Sequence, residues 1–106
     1  MALFAFHSHP LTALTAVGVT PAVEVKATDL TFQVTVSGIG TNVVIRIEGS
    51  VDGTSYMNLA EDESDYTITA DGTTGYVLYA PVNFVRLRLV SFSGGSPSVA
   101  TVIGGK

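Results

Sequence analysis

The sequence contains no cysteine, and only 13% of its 106 residues are charged. The absence of cysteine excludes a disulfide framework, a zinc site with cysteine ligands and a thiol nucleophile. The charged fraction is about half of the roughly 25% that is usual for soluble domains. Short neutral polar side chains take the place of charges, and a surface of this kind favours burial against a partner.

Positive charge is especially scarce. Five lysines and arginines stand against nine acidic residues, so the net charge is −4. The chain therefore lacks the cations that would neutralise a run of phosphates, which argues against nucleic-acid binding. The cations are scattered and do not flank an apolar helix, which argues against a membrane surface. The apolar start has no basic region and is interrupted before Pro10, so we expect neither a signal peptide nor a membrane span, and an intracellular origin.

The length of 106 residues fits one domain. We expect a single β-sandwich domain over residues 11–106, preceded by an N-terminal arm or edge segment over residues 1–10. The large apolar side chains of Leu3, Phe4 and Phe6 would allow an arm that packs against a neighbouring subunit. The alternative is an edge strand of the same domain.

Alternation of apolar and polar residues with a period of two is the strongest pattern, and it is typical of β-strands. It is clearest at residues 30–36, 43–48 and 85–90. Weaker strands are predicted at residues 11–17, 22–26, 56–59, 66–69, 75–79 and 98–103. No segment has helical spacing with a cap at its start. The sequence thus predicts an all-β, antiparallel fold of about eight strands with essentially no helix.

Glycine, proline and aspartate mark the expected turns. Residues 37–40 and 93–97 supply glycines and a proline, while Asp52-Gly53 and Asp71-Gly72 are dipeptides that favour tight hairpin turns. Short strands between turns at intervals of about 8 to 12 residues indicate a sandwich or a small barrel. We expect a jelly-roll-like sandwich.

Two groups of residues have the chemistry of metal ligands. On a strand, His7 and His9 point to one face and could share an ion. The more ordinary interpretation, which we favour, is two exposed polar residues in a flexible start. The acidic residues Glu61, Asp62, Glu63 and Asp65 could bind calcium but lack the spacing of an EF-hand. The alternative is a solvated loop that keeps neighbouring edges apart.

Motifs for catalysis are missing. No G-x-S-x-G elbow holds a serine, and the glycines near Ser50 are flanked by strands and have no phosphate-binding lysine. The sequence therefore predicts no catalytic residue and no cofactor. The four tyrosines, Tyr56, Tyr66, Tyr76 and Tyr79, have two interpretations: a platform that stacks on sugars, or the half-buried wall of the sheet.

Arg86 and Arg88 project from one face of the same predicted strand. Strand geometry places the two side chains about 7 Å apart, which suits recognition of a carboxylate on a partner. The alternative is an ion pair with Glu48 on an adjacent strand within the same subunit.

Two segments carry a resemblance to a known class of protein. They are residues 48–56, EGSVDGTSY, and, about thirty residues later, residues 84–91, FVRLRLVS. Together with the strand at 31–36, the turn at 70–73 and the ending at 94–102, they resemble small β-sandwich structural proteins of tailed bacteriophage virions. From the first to the last of these segments, the resemblance spans about two-thirds of the chain.

The resemblance implies a non-enzymatic protein of the virion, of the capsid decoration or cement type, assembled in the host cytoplasm. Such a protein bridges and stabilises coat subunits, so its partner is the major capsid protein or another virion protein. The resemblance also favours a homo-oligomer, in particular a trimer. Candidate partner contacts are Leu3, Phe4, Phe6, Arg86 and Arg88. The alternative function is a glycan- or receptor-binding module of a head fibre or tail component.

Overall fold

The computed structural model of the chain describes residues 6–25 and 27–106, with side chains from His9 onward. Within those ranges the chain forms strands, turns and loops, and no helix is present that could cross a lipid bilayer. Eight antiparallel strands form one open sheet, which confirms the prediction of an antiparallel all-β fold. They are β1 (Phe6–Pro10), β2 (Gly18–Val19), β3 (Val23–Glu24), β4 (Asp29–Ser50), β5 (Met57–Asn58), β6 (Tyr66–Ile68), β7 (Gly72–Tyr79) and β8 (Phe84–Gly105).

The two long strands, β4 and β8, form the middle of the sheet. They pair from Leu30 opposite Gly105 to Ser50 opposite Phe84. Along the outer side of β8 run β1, a single bridge between Leu14 and Val99, β2 and β3. Along the outer side of β4 run β5, β6 and β7. The sheet therefore consists of four roughly antiparallel paths, two long strands inside and two interrupted paths outside.

Both long strands bend near their middle. A straight strand of 22 residues would be about 70 Å long, whereas the longest dimension of the molecule is 43 Å. The pairing register of β4 and β8 shifts between Ser37 and Asn42. At this point Gly38 and Gly95 have φ angles of 73° and 67°, a conformation that glycine adopts without strain. The two strands thus cross the bend with their pairing preserved on both sides.

This arrangement corrects the prediction of turns at residues 37–40 and 93–97. These glycine-rich segments do not reverse the chain but bend two continuous strands by means of bulges. The Asp71-Gly72 dipeptide forms no hairpin either, because β6 and β7 both pair with β4. The Asp71 carboxylate instead accepts hydrogen bonds from the backbone N–H groups of Gly38 at 3.3 Å and Ile39 at 3.0 Å. It thereby satisfies backbone donors at the bend.

The core lies on one face of the bent sheet. Before the bend, the buried apolar side chains of β4 are at even positions, and after it they are at odd positions, because the register shifts change which face a residue occupies. The buried side chains of both halves belong to one cluster. Its fully enclosed members include Leu30, Phe32, Val34, Val36, Val43, Ile45, Ile47, Val85, Leu87, Leu89, Val99 and Ile103. Burial of each such side chain contributes roughly 1.5 to 3 kcal/mol.

The predicted strand at residues 11–17 is wrong. In this part of the chain only Leu14 pairs, through a single bridge, and the ladder resumes at Gly18 opposite Leu89. Between these two points β8 advances from position 99 to position 89, ten residues, while the outer path advances only from 14 to 18, four residues. The outer path therefore leaves the ladder as it crosses the bend. The strand lies earlier instead, at Phe6–Pro10.

Candidate functional site

The charged side chains of β4 and β8 form a network on the face of the sheet opposite the core. At its centre is Glu48, whose side chain is only 6% exposed. Nε of Arg86 donates to Oε1 of Glu48 at 2.7 Å, and Nε of Arg88 donates to Oε2 at 2.8 Å. Nη1 of Arg46 lies 3.6 Å from Oε2. Cross-strand pairing explains this geometry, because Glu48 lies opposite Arg86 and Arg46 lies opposite Arg88.

The network, which we call the arginine network, continues from Arg46 to the neighbouring loop. Nε and Nη2 of Arg46 donate to the two carboxylate oxygens of Asp65, at 2.7 and 3.1 Å. The amide of Asn58 donates to the same Asp65 carboxylate at 3.2 Å. On the other side, the guanidinium of Arg86 lies 3.7 Å from the centre of the Tyr56 ring, a cation–π contact. The network therefore links β4 and β8 to the chain around β5.

The ionisation of both carboxylates follows from these contacts. Burial of Glu48 opposes its ionisation, but the hydrogen bonds and charges of Arg88 and Arg86 outweigh burial and lower its pKa. The bidentate hydrogen bonds from Arg46 lower the pKa of Asp65, while partial burial acts in the opposite direction. Both groups are thus carboxylates at neutral pH, and each arginine has a negative partner.

Of the two interpretations of Arg86 and Arg88 that the sequence left open, the structure has the intramolecular one, the ion pairs with Glu48. Their Nε atoms bind Glu48 of the same subunit, so this face is organised by contacts within one chain. The sequence did not indicate the contribution of Arg46, Asp65 and Tyr56. For Arg46 the sequence did contain a signal, since Arg46 shares the outer face of a clear strand with Glu48. The loop positions of Asp65 and Tyr56 carried no comparable signal.

The connection from β4 to β5 is organised by one carboxylate. Oδ1 of Asp52 accepts hydrogen bonds from the backbone N–H groups of Thr54 and Ser55 at 2.8 and 2.9 Å, and from the hydroxyl of Ser50 at 2.9 Å. The Ser50 hydroxyl in turn accepts from the N–H of Gly53. Phe84 packs beside Gly53, where an added Cβ would lie 3.1 Å from the ring. The most specific segment of the resemblance is therefore a tightly hydrogen-bonded loop.

We expect the Asp52 carboxyl to have a pKa well below the usual value for an aspartate. The N–H groups of Ser55 and Thr54 and the hydroxyl of Ser50 lower its pKa from 3.8 to about 2. Because the pKa is lower in the folded state, Asp52 stabilises the protein fully above the unfolded value, and this contribution is lost as the pH falls toward 2. Carbon-detected NMR titration of the side-chain carboxyl measures this pKa. Ser50→Ala removes one hydrogen-bond donor and should raise the pKa of Asp52. A pKa near 3.8 in the wild-type protein would contradict the expectation.

Among the side chains that the structure describes, the candidate metal ligands do not converge. In the part of the chain that the structure describes, no three His, Cys, Asp or Glu side chains form a group that could hold an ion. His9 is exposed on β1, and the side chain of His7 lies outside the described set. Within the acidic run, Asp65 binds Arg46 and Asp62 caps the N–H of Ser64 at 3.0 Å. The run forms an exposed loop between β5 and β6.

The tyrosines do not form a single platform. Tyr56 contacts Arg86, while Tyr66 and Tyr76 form a tilted pair with ring centres 4.2 Å apart that packs against the core. Burial raises the pKa of both of these phenols. Tyr79 is different, because 75% of it is exposed on the outer face of β7. The four rings therefore lie in three separate environments.

Strand β7 presents an uncharged outer surface. Val77 and Tyr79 are 77% and 75% exposed, and both lie on the face of the sheet opposite the core. From Gly72 to Ala80 the sequence has no charged residue and no proline. Other large apolar side chains are exposed at Val17, Val51 and Met57. The signal in the sequence is this run of nine residues without charge or proline.

Of the other candidate contacts, Leu3 and Phe4 lie outside the described residues. The backbone of Phe6 pairs with Gly105 at the start of β1. Comparison of the chain with protein-family models, with curated proteins and with solved structures finds no match.

Proposed function

We propose that this chain is a non-enzymatic structural protein of a virion, of the capsid decoration or cement type. Its role is to bridge coat-protein subunits and stabilise the particle. The observation that carries the proposal is the character of the surface: large apolar side chains are exposed on the sheet, whereas Arg46, Arg86 and Arg88 are engaged by carboxylates of the same subunit. Such a surface suits contact with other proteins.

The location of the two segments that carry the resemblance supports the same proposal. Residues 48–56 and 84–91 lie beside each other, since Ser50 pairs with Phe84 and Glu48 with Arg86. They are joined by the arginine network and by the loop around Asp52. The segments on which the resemblance rests therefore form one continuous part of the sheet, and their polar side chains hold strands and a loop together.

A jelly-roll-like sandwich is part of the proposal. The bend in β4 and β8 supports it, because the buried side chains on both sides of the bend join one core. The proposal also includes a homo-oligomer on the particle, with the major capsid protein or another virion protein as partner. Many weak contacts made at once would give such a small domain its affinity.

Removal of the protein tests the proposed role. Purified particles that lack the chain should release their nucleic acid at a lower temperature than complete particles, as measured by dye accessibility during heating. Addition of the purified chain should restore the original temperature. An unchanged release temperature in particles that lack the chain contradicts cementing. Quantitative mass spectrometry of complete particles, relative to the major coat protein, distinguishes a capsid-wide cement from a component of the vertex or tail.

A further inference from the structure

The outer strands of the sheet differ in how open their edges are. Strands β2 and β3 have two residues each and are separated by a segment containing Pro21. Strands β5 and β6 have two and three residues and flank the acidic loop. Strand β7 has eight residues without a register shift, and within the described part of the chain it pairs on one side only, with β4. Its other side presents backbone donors and acceptors for a further strand.

Strand β7 also lacks the features by which edge strands avoid pairing with other chains. Proteins protect such edges with charged side chains, proline or bulges, and none of these occurs between Gly72 and Tyr79. The core-side residues Tyr76 and Leu78 are only half-buried, although their partners on β4, Phe32 and Leu30, are fully enclosed. An additional strand beside β7 would complete the burial of both.

We propose that β7 pairs antiparallel with β7 of a second copy of this chain, across a two-fold axis at Val77. In a two-fold pair each strand lies beside an identical strand that runs in the opposite direction. A charged side chain near the axis would therefore lie close to its own copy and be repelled by it. A strand without charge is what self-pairing requires. A strand that recognised a charged partner would instead carry complementary charges.

The proposed register matches side chains on both faces. With Val77 opposite the partner's Val77, Tyr76 lies opposite Leu78 of the partner subunit on the core side. On the outer face, Gly75 lies opposite the partner's Tyr79. An added Cβ on Gly75 would have no atom within 4 Å in the single subunit, so there is room for the ring of Tyr79 to cover it, as aromatic side chains cover cross-strand glycines.

This contact produces a dimer and is independent of the proposed virion role. A trimer, as the resemblance favours, would need a different contact surface. The dimer is tested on the purified protein alone, whereas the virion role is tested on particles. Failure of one therefore leaves the other standing.

Cysteine cross-linking tests the register, because the chain has no cysteine of its own. In a Val77→Cys variant, directly opposed Cα atoms lie about 4.5 to 5.5 Å apart, within the range of about 4.4 to 6.8 Å that a disulfide spans. We expect mild oxidation to give a disulfide-linked dimer. The matched control is Thr73→Cys on the same face of the same strand. In the proposed register Thr73 is offset from its own copy by eight residues, about 27 Å, so it should not cross-link.

A charge at the axis tests the association itself. Val77→Lys places two ammonium groups opposite each other and should weaken dimerisation by roughly 30-fold or more, measured by sedimentation velocity. Val51→Lys, a change at another exposed valine away from β7, should leave dimerisation unchanged. Circular dichroism checks that both variants are folded. Sedimentation velocity of the wild-type protein is repeated over a 100-fold dilution series that reaches about 1 mM. A wild-type protein that stays monomeric over this whole range overturns the proposal. Equal cross-linking at Thr73 and Val77, or a dimer insensitive to Val77→Lys, also overturns it.

Discussion

Replacement of Gly95 by alanine is expected to lower the free energy of unfolding by about 3 to 5 kcal/mol. Gly95 has a φ angle of 67°, where alanine is strained. Its added Cβ would also overlap the backbone nitrogen of Gly40 and lie 2.5 Å from the carbonyl oxygen of Gly38. These atoms belong to the main chain of the paired strand and cannot rotate away. The overlap is relieved only if the two strands separate at the bend.

Gly94 is the matched control for this substitution. It has a similar φ angle of 70°, but the nearest atom to an added Cβ is Cα of Gly40 at 3.5 Å, an ordinary contact. Gly94→Ala should therefore cost only the backbone strain, about 1 to 2 kcal/mol. Urea unfolding followed by circular dichroism measures both variants. Equal losses at the two positions would show that the close approach of the strands contributes nothing.

The difference between these two glycines matters because the bend joins the two halves of the core. A domain of this size is stabilised by only about 5 to 15 kcal/mol in total. If Gly95→Ala lowers the free energy of unfolding by about 4 kcal/mol, it removes a large part of that stability. We expect Gly95→Ala to unfold at a clearly lower urea concentration than Gly94→Ala.

The second large effect is expected at Glu48, the centre of the arginine network. Glu48→Ala leaves Arg86 and Arg88 without their carboxylate, and should lower the free energy of unfolding by about 2 to 4 kcal/mol. This is below the roughly 3 to 5 kcal/mol of a fully buried pair, because the two arginine side chains are 21% and 33% exposed and water solvates them in part. Denaturant unfolding measures the loss.

Asp65 provides the matched control within the same network. It accepts two hydrogen bonds from Arg46, but its side chain is 25% exposed and the pair is accordingly screened by water. Asp65→Ala should cost about 1 kcal/mol or less. If Asp65→Ala destabilises the protein as much as Glu48→Ala, burial does not determine the strength of these ion pairs.

The effect of Glu48 depends on pH in a defined direction. Its pKa is lower in the folded protein than in the unfolded chain, despite burial, because Arg88 and Arg86 stabilise the carboxylate. Its contribution is therefore complete above the unfolded pKa, about 4.3, and is lost as the pH falls through the folded value. The stability difference between wild type and Glu48→Ala should shrink in that acidic range. A difference that is constant down to pH 2, or grows, contradicts this.

Part of the site could be predicted from local sequence. The alternation of apolar and polar residues placed Glu48, Arg86 and Arg88 on the outer face of their strands. It left two interpretations of the arginines, an ion pair with Glu48 or recognition of a carboxylate on a partner. The choice between them depended on which residues face each other across β4 and β8. That register depends on the whole length of two strands and on their bulges, which no local pattern contains.

The two-residue alternation by itself determined that the protein is an antiparallel all-β domain, and it determined which side chains of the clear strands enter the core. Only the tertiary structure decided that residues 37–40 and 93–97 bend the strands instead of ending them. Glycine permits both outcomes, since it supplies positive φ angles to turns and to bulges alike. The outcome depends on whether a distant strand is placed to continue the ladder. In this protein β4 and β8 each provide that continuation for the other.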